Sequence, residues 1–212
     1  MVVHMYREYF LRKFHSRPTI LHLDATGAVT RQMGDKRPYP YALISAGPGG
    51  SFPLAYMVSE SHTVPTVAHF LSQLSRHYKL VNKGKLTPPQ VVTDFSWALL
   101  HAVAHSILNS TLEEYLDTCW EVVIGTSTSP PQTLLSMCGA HISHKFSGVL
   151  KEKGVGRQEK MGYMWLFAKM QQAGSLPELD GLFVKMCALA LSKGQPAVSL
   201  DLPKRWNPTS ER

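Results

Sequence analysis

The stretch TILHLDATG, Thr19 to Gly27, carries an aspartate near the end of an apolar run. The run is rich in large apolar and β-branched residues, which favour a strand, and the following Thr-Gly is typical of a turn. A carboxylate in such a place is costly unless a cation, a helix N-terminus or a metal ion offsets its charge. Asp24 therefore needs a partner elsewhere in the chain.

A second aspartate has the same setting. PPQVVTDFS (88–96) predicts a short buried strand with Asp94 near its end, and SWALLHAVAHSIL (96–108) predicts a helix that Ser96 can cap. Two strand-borne carboxylates that meet in space can hold divalent cations, because hard cations such as Mg²⁺ prefer oxygen ligands. Each aspartate also has a structural alternative, as a turn residue for Asp24 and as part of the helix cap for Asp94. Their pairing at successive strand ends favours the metal hypothesis.

The remaining pattern predicts an α/β fold. YPYALISAG (39–47) and FPLAYMVSE (52–60) predict two strands that form an antiparallel meander with the first. Helical spacing of apolar residues predicts helices over 61–78 and 110–120, and two more within 161–192. We expect a mixed sheet of about five strands, flanked by helices and followed by a helical C-terminal extension.

The first 18 residues combine aromatic side chains along one side with basic residues elsewhere, which predicts an amphipathic basic helix that Pro18 ends. We therefore expect three parts. They are a basic helix at 1–18, the α/β core at 19–150, and a helical extension with an irregular tail at 151–212.

Charge and composition narrow the class of partner. The 212-residue chain has a formal net charge of +7, which favours an anionic partner, nucleic acid first and an acidic membrane surface second. No stretch approaches the ~20 apolar residues of a membrane span. Three cysteines give no disulfide framework, which favours a reducing, intracellular compartment.

Four stretches together resemble the DDE transposase domain of Mutator-like elements. They are LHLDATG, FPLAYMVSESHTVPTVAHFLSQL, PPQVVTDFSWALLHAV and CGAHISHKF, and the similarity runs roughly from Thr19 to Leu150. VVTDFSWAL is the most specific of them. The resemblance implies an RNase H-like fold and identifies Asp24 and Asp94 as the first two catalytic carboxylates, which bind two Mg²⁺ or Mn²⁺ ions. It implies DNA as the partner, a nuclear location ahead of a cytoplasmic one, and metal-dependent cleavage and strand transfer of phosphodiesters. A homo-oligomer is left open.

The family's third acid follows a helical insertion after the Cys-x-x-His motif. The late glutamates of this chain lie in no context that matches it: Glu152, Glu159, Glu178 and Glu211. Two interpretations stay open. The chain is either a DDE-type transposase or nuclease that needs a further acid, or a domesticated or truncated remnant that binds DNA or protein without catalysis.

Further candidate residues surround these motifs. Arg31, Lys36 and Arg37 follow the first strand and are predicted to contact phosphates. Cys138 and His141 form the Cys-x-x-His pair, which is half of a zinc site by spacing. No second pair follows, so we do not expect zinc. The resemblance instead implies that this pair lies near the active site, where His141 either contacts a DNA phosphate or orients an acid. The structural alternative is a buried thiol beside a polar histidine near the sheet edge. Lys145 is a further candidate for DNA contact.

Overall fold

A mixed sheet of six strands organises the protein. The computed structural model describes residues 2–26, 38–48 and 50–192. The strands are, in chain order, β1 (Val2–Tyr6), β2 (Ile20–Ala25), β3 (Tyr39–Gly47), β4 (Gly50–Ser59), β5 (Gln90–Thr93) and β6 (Leu134–Met137). Their order across the sheet is β1-β4-β3-β2-β5-β6.

The strand directions confirm the predicted meander and the predicted fold class. β2, β3 and β4 pair antiparallel, with two residues between β3 and β4, whereas β5 and β6 run parallel to β2. Parallel strands need a crossover connection, which is usually helical. The helices that separate β4 from β5 and β5 from β6 provide it. A mixed sheet in this order, flanked by helices, is consistent with an RNase H-like α/β fold.

Several helices precede the last strand in the chain. They are α1 (Glu8–Ser16), α2 (Val64–Asn82), α3 (Trp97–Val103), which continues as a π-helical turn (Ala104–Leu108), and α4 (Leu112–Val123). Pro65 occupies the first turn of α2, where a backbone N–H would have no helical partner and the missing N–H of proline costs nothing. Thr111 and Glu114 form a capping box at the start of α4.

The predicted helix over 1–18 is wrong for its first residues. Val2 to Tyr6 form β1, which pairs antiparallel with β4, and the helix begins only at Glu8. Isolated short helices are marginal in water, so pairing with an exposed sheet edge overrides a helical pattern of this length. The remaining helix, α1, buries Leu11 and Phe14 as its apolar face.

One face of the sheet is covered by helices. Leu21 and Leu23 of β2 are fully buried on it, as are Val91 and Thr93 of β5. The helices contribute mainly these side chains to the same core: Leu11, Phe14, Val67, Phe70, Leu71, Leu74, Leu99 and Val103. Since side chains alternate along a strand, the residues between them point to the opposite face.

The chain divides into two compact units, Met1–Cys138 and Gly139–Arg212. The second unit contains α5 (Gly139–Glu152), α6 (Arg157–Met170) and α7 (Leu176–Leu191). The predicted end of the core at residue 150 therefore falls inside α5. No helix of the described residues is long and apolar enough to cross a membrane.

Candidate metal-binding site

Asp24 lies near the carboxyl end of β2 and is exposed. It pairs with Ala42 of β3, and its Oδ1 accepts a hydrogen bond of 2.8 Å from the backbone N–H of Ala25. Its neighbour Leu23 is 1% exposed, so the alternation of β2 points Asp24 to the face away from the core. A carboxylate on this face retains contact with water, which removes the burial cost that the sequence pattern implied.

Asp94 directly follows the last residue of β5. It is partly buried, and its Oδ1 atom is shielded from solvent. Ser96 then occupies the N-cap position of α3, which begins at Trp97. Asp94 is thus held between a central strand and a helix start, two elements whose backbone is fixed by the sheet and the core.

The pairing of β2 with β5 ends one residue before each aspartate. The strands pair in parallel with Leu21 opposite Val91 and Leu23 opposite Thr93. Asp24 and Asp94 are the residues that follow this last pair, and neighbouring strands lie about 4.8 Å apart. Asp24 faces away from the core, whereas Asp94 lies just after the end of β5 and its Oδ1 is shielded from solvent. Two hard oxygen donors at one end of the sheet, one of them open to solvent, suit a divalent cation that retains several waters.

A hydrogen-bonded network lies beside Asp94, and the sequence analysis did not find it. The hydroxyl of Tyr41 lies 2.8 Å from Nδ1 of His62, and Nε2 of His62 lies 2.8 Å from Oγ of Ser96. The ring of His62 stacks on that of Tyr41, with centroids 5.8 Å apart and an angle of 16°. The three residues come from β3, the β4–α2 loop and the start of α3, so no local spacing could have revealed them.

Tyr41 is a strongly perturbed group of this network. Burial, together with the nearby Tyr39 and the negative charge of Asp94, raises its pKa to about 12. The phenol therefore stays protonated at neutral pH and keeps its hydrogen bonds as a neutral group. The influence of Asp94 on this pKa also shows that the network and the carboxylate share one electrostatic environment.

Ser96 has a different role from the one predicted. It occupies the N-cap position, but its side chain makes no capping hydrogen bond to α3. A serine cap typically stabilises a helix by about 1 kcal/mol, so its absence needs a reason. The reason is His62, which engages the Ser96 hydroxyl. The network thus connects the β4–α2 loop to the segment that carries Asp94.

We expect His62→Ala to lower the free energy of unfolding by about 1–3 kcal/mol, because it removes two hydrogen bonds and leaves partly buried partners unsatisfied. Chemical denaturation of His62→Ala, Ser96→Ala and the double variant measures this as a cycle. Because the Ser96 hydroxyl acts through His62, the two single effects should not add. Additive effects would show instead that Ser96 stabilises α3 independently of His62.

The other predicted site residues fall in three places: outside the described residues, next to β5, and on α5. Arg31, Lys36 and Arg37 lie outside them. Cys138 follows β6 and donates a backbone hydrogen bond of 2.6 Å to the carbonyl of Thr93. His141 and Lys145 lie on α5, in the second compact unit. Their roles in DNA contact stay predictions.

The late glutamates Glu152, Glu159 and Glu178 belong to the second unit. Glu211 lies outside the described residues. Glu178 stabilises the start of α7, where its Oε2 accepts a hydrogen bond of 2.9 Å from the N–H of Gly174. Glu152 and Glu159 lie on α5 and α6. Within the described part of the chain, no group of three or more His, Cys, Asp and Glu side chains is arranged to hold a metal ion.

Comparison with known proteins gives one informative similarity. The chain is 26% identical over 128 residues to the 120.7 kDa protein in the NOF-FB transposable element of Drosophila melanogaster. The chain resembles a transposable-element protein. The match covers 58% of this chain but 12% of that protein, so the chain spans a small part of its relative's length. No protein-family model and no solved structure matches the chain.

Proposed function

We propose that this chain is a transposase-derived domain, related to the DDE transposases of Mutator-like elements, which processes DNA at Asp24 and Asp94. The observation that supports the proposal is the parallel pairing of β2 and β5, whose last paired residues, Leu23 and Thr93, directly precede the two aspartates. The similarity to a transposable-element protein also supports an origin of this chain from a transposable element. DNA is then the partner, and the nucleus the expected location.

The donor set suits Mg²⁺ or Mn²⁺. Mg²⁺ is usually held in proteins by one or two carboxylates, with waters and substrate phosphates completing its shell. Asp24 and Asp94 would hold the metal, which would supply activation of an attacking oxygen and stabilisation of the leaving one. The protein's own contribution is rigidity, because Asp24 belongs to β2, Asp94 directly follows β5, and the His62 network borders Asp94.

A plasmid-nicking assay tests the proposal. We expect the full chain with Mn²⁺ to convert supercoiled plasmid to nicked circles, and Asp94→Asn to abolish the conversion. Asp117→Asn is the matched control, since Asp117 is an exposed aspartate on α4. Plasmid that is bound but never nicked by either protein would assign the chain to the remnant class, a DNA-binding module without catalysis.

A further inference from the structure

Two segments of the first unit carry basic residues without any acidic residue. Residues 9–23 contain three basic residues and no acidic one, and residues 61–93 contain four basic residues and no acidic one. Together they hold as many positive charges as the formal net charge of the whole chain, +7. The first segment includes most of α1, and the second includes all of α2.

The fold brings these two segments together. The guanidinium of Arg12 donates to the carbonyl of Val81 at 3.4 Å, and the amide of Asn82 donates to the carbonyl of Leu11 at 3.3 Å. His15 lies 2.9 Å from the hydroxyl of Tyr78. The end of α1 is therefore packed against the end of α2, and their exposed cations form one surface. This basic surface consists of Arg12, Lys13, Arg17, Lys79, Lys83 and Lys85.

The basic surface lies at the other end of the sheet from the two aspartates. Arg17 lies a few residues before the start of β2, and Lys85 lies a few residues before the start of β5. Asp24 and Asp94 are instead at the carboxyl ends of these parallel strands. The length of β2 up to Asp24 corresponds to about 13 Å at 3.3 Å per residue. The helices also cover the face of the sheet opposite to Asp24. The two places are thus separate sites.

The chemistry of the surface favours a nucleic-acid backbone over a lipid headgroup. Basic helices bind membranes by inserting an apolar face, but Leu11 and Phe14 of α1 are 0% and 1% exposed. Phe10 stacks on Phe52 with centroids 5.7 Å apart, and Nζ of Lys13 lies 4.6 Å from the centre of the Phe52 ring. The apolar side of α1 is therefore occupied by the protein itself. Arg12 also forms an exposed ion pair of 3.7 Å with Glu8, so Arg17 and the lysines at the end of α2 are the main cations open to a line of phosphates.

We propose that the basic surface binds the phosphate backbone of duplex DNA as a second, sequence-independent contact, apart from the carboxylate site. Duplex DNA carries one charge per about 1.7 Å of its axis, so adjacent cations on two packed helix ends can neutralise several phosphates at once. Such contacts position a protein on DNA without reading its sequence.

The test is the salt dependence of DNA binding by the full chain, measured by fluorescence anisotropy with a labelled duplex. The variant Arg17→Gln, Lys79→Gln, Lys85→Gln removes three charges whose side chains make no hydrogen bond or ion pair among the described residues, so the fold is retained. We expect the slope of log affinity against log salt to fall by about 2 to 3, because each phosphate contact contributes about 0.9. Affinity at moderate salt should fall at least about tenfold.

The control variant Lys151→Gln, Lys153→Gln, Arg157→Gln removes the same charge from exposed positions of the second unit. An unchanged slope for the basic-surface variant, or an equal decrease for the control, would overturn the proposal. Binding to phosphatidylserine vesicles but not to the duplex would overturn it in favour of a membrane. Asp24→Asn should leave the slope of log affinity against log salt unreduced. A failure of the basic-surface proposal is therefore distinguishable from a failure of the carboxylate-site proposal.

Discussion

Replacing Asp24 or Asp94 by asparagine is expected to weaken Mn²⁺ binding by more than about tenfold, measured by isothermal titration of the full chain. Asparagine keeps the size of the side chain but removes the charge, so the effect reports on the carboxylate rather than on packing. Because the two residues directly follow the last paired residues of β2 and β5, either replacement should remove the same binding event.

Asp117→Asn is the control for this prediction. Asp117 is exposed on α4, and its replacement removes one negative charge elsewhere in the same unit. If all three replacements weaken Mn²⁺ binding equally, the cation responds to the general charge of the protein. The paired site would then have no support.

Leu23→Ala is expected to lower the free energy of unfolding by about 2–5 kcal/mol, because it leaves a cavity in the centre of the core. Leu23 is 1% exposed and lies on β2 directly before Asp24. His22→Ala is the matched control, since His22 is exposed on the other face of the same strand. Exposed substitutions usually change stability by no more than about 0.5 kcal/mol.

This pair of variants also tests which face of the sheet carries Asp24. Urea denaturation followed by circular dichroism gives both free energies of unfolding. Since alternate residues share a face, Asp24 belongs with His22. A larger loss for His22→Ala than for Leu23→Ala would place Asp24 in the core and remove the open carboxylate face on which the account depends.

The central elements of the fold were predictable because their patterns are local. β2 and β5 are short apolar runs with turn or helix signals at their ends, and the Gly-rich turn between β3 and β4 signals a hairpin. The capping residues Thr111 and Glu114 likewise lie three positions apart in the chain. Each of these features depends on neighbours in sequence, so the sequence is sufficient to reveal it.

The elements that were missed depend on distant partners. β1 is a strand because it pairs with β4, and β6 has only four residues and extends the sheet beside β5. The network of Tyr41, His62 and Ser96 joins three elements, and its tyrosine is perturbed by burial that no single segment predicts. The aspartates themselves were identifiable by their strand ends, whereas their register required the pairing of β2 with β5.

The measurement that tests the account most directly is a Mg²⁺ titration followed by the side-chain carboxylate ¹³C shifts of Asp24 and Asp94. The account predicts that both signals shift along one binding curve, and that Asp24→Asn abolishes the shift of Asp94. Two aspartates that stay unshifted at millimolar Mg²⁺, or that shift with independent affinities, would contradict a shared metal site.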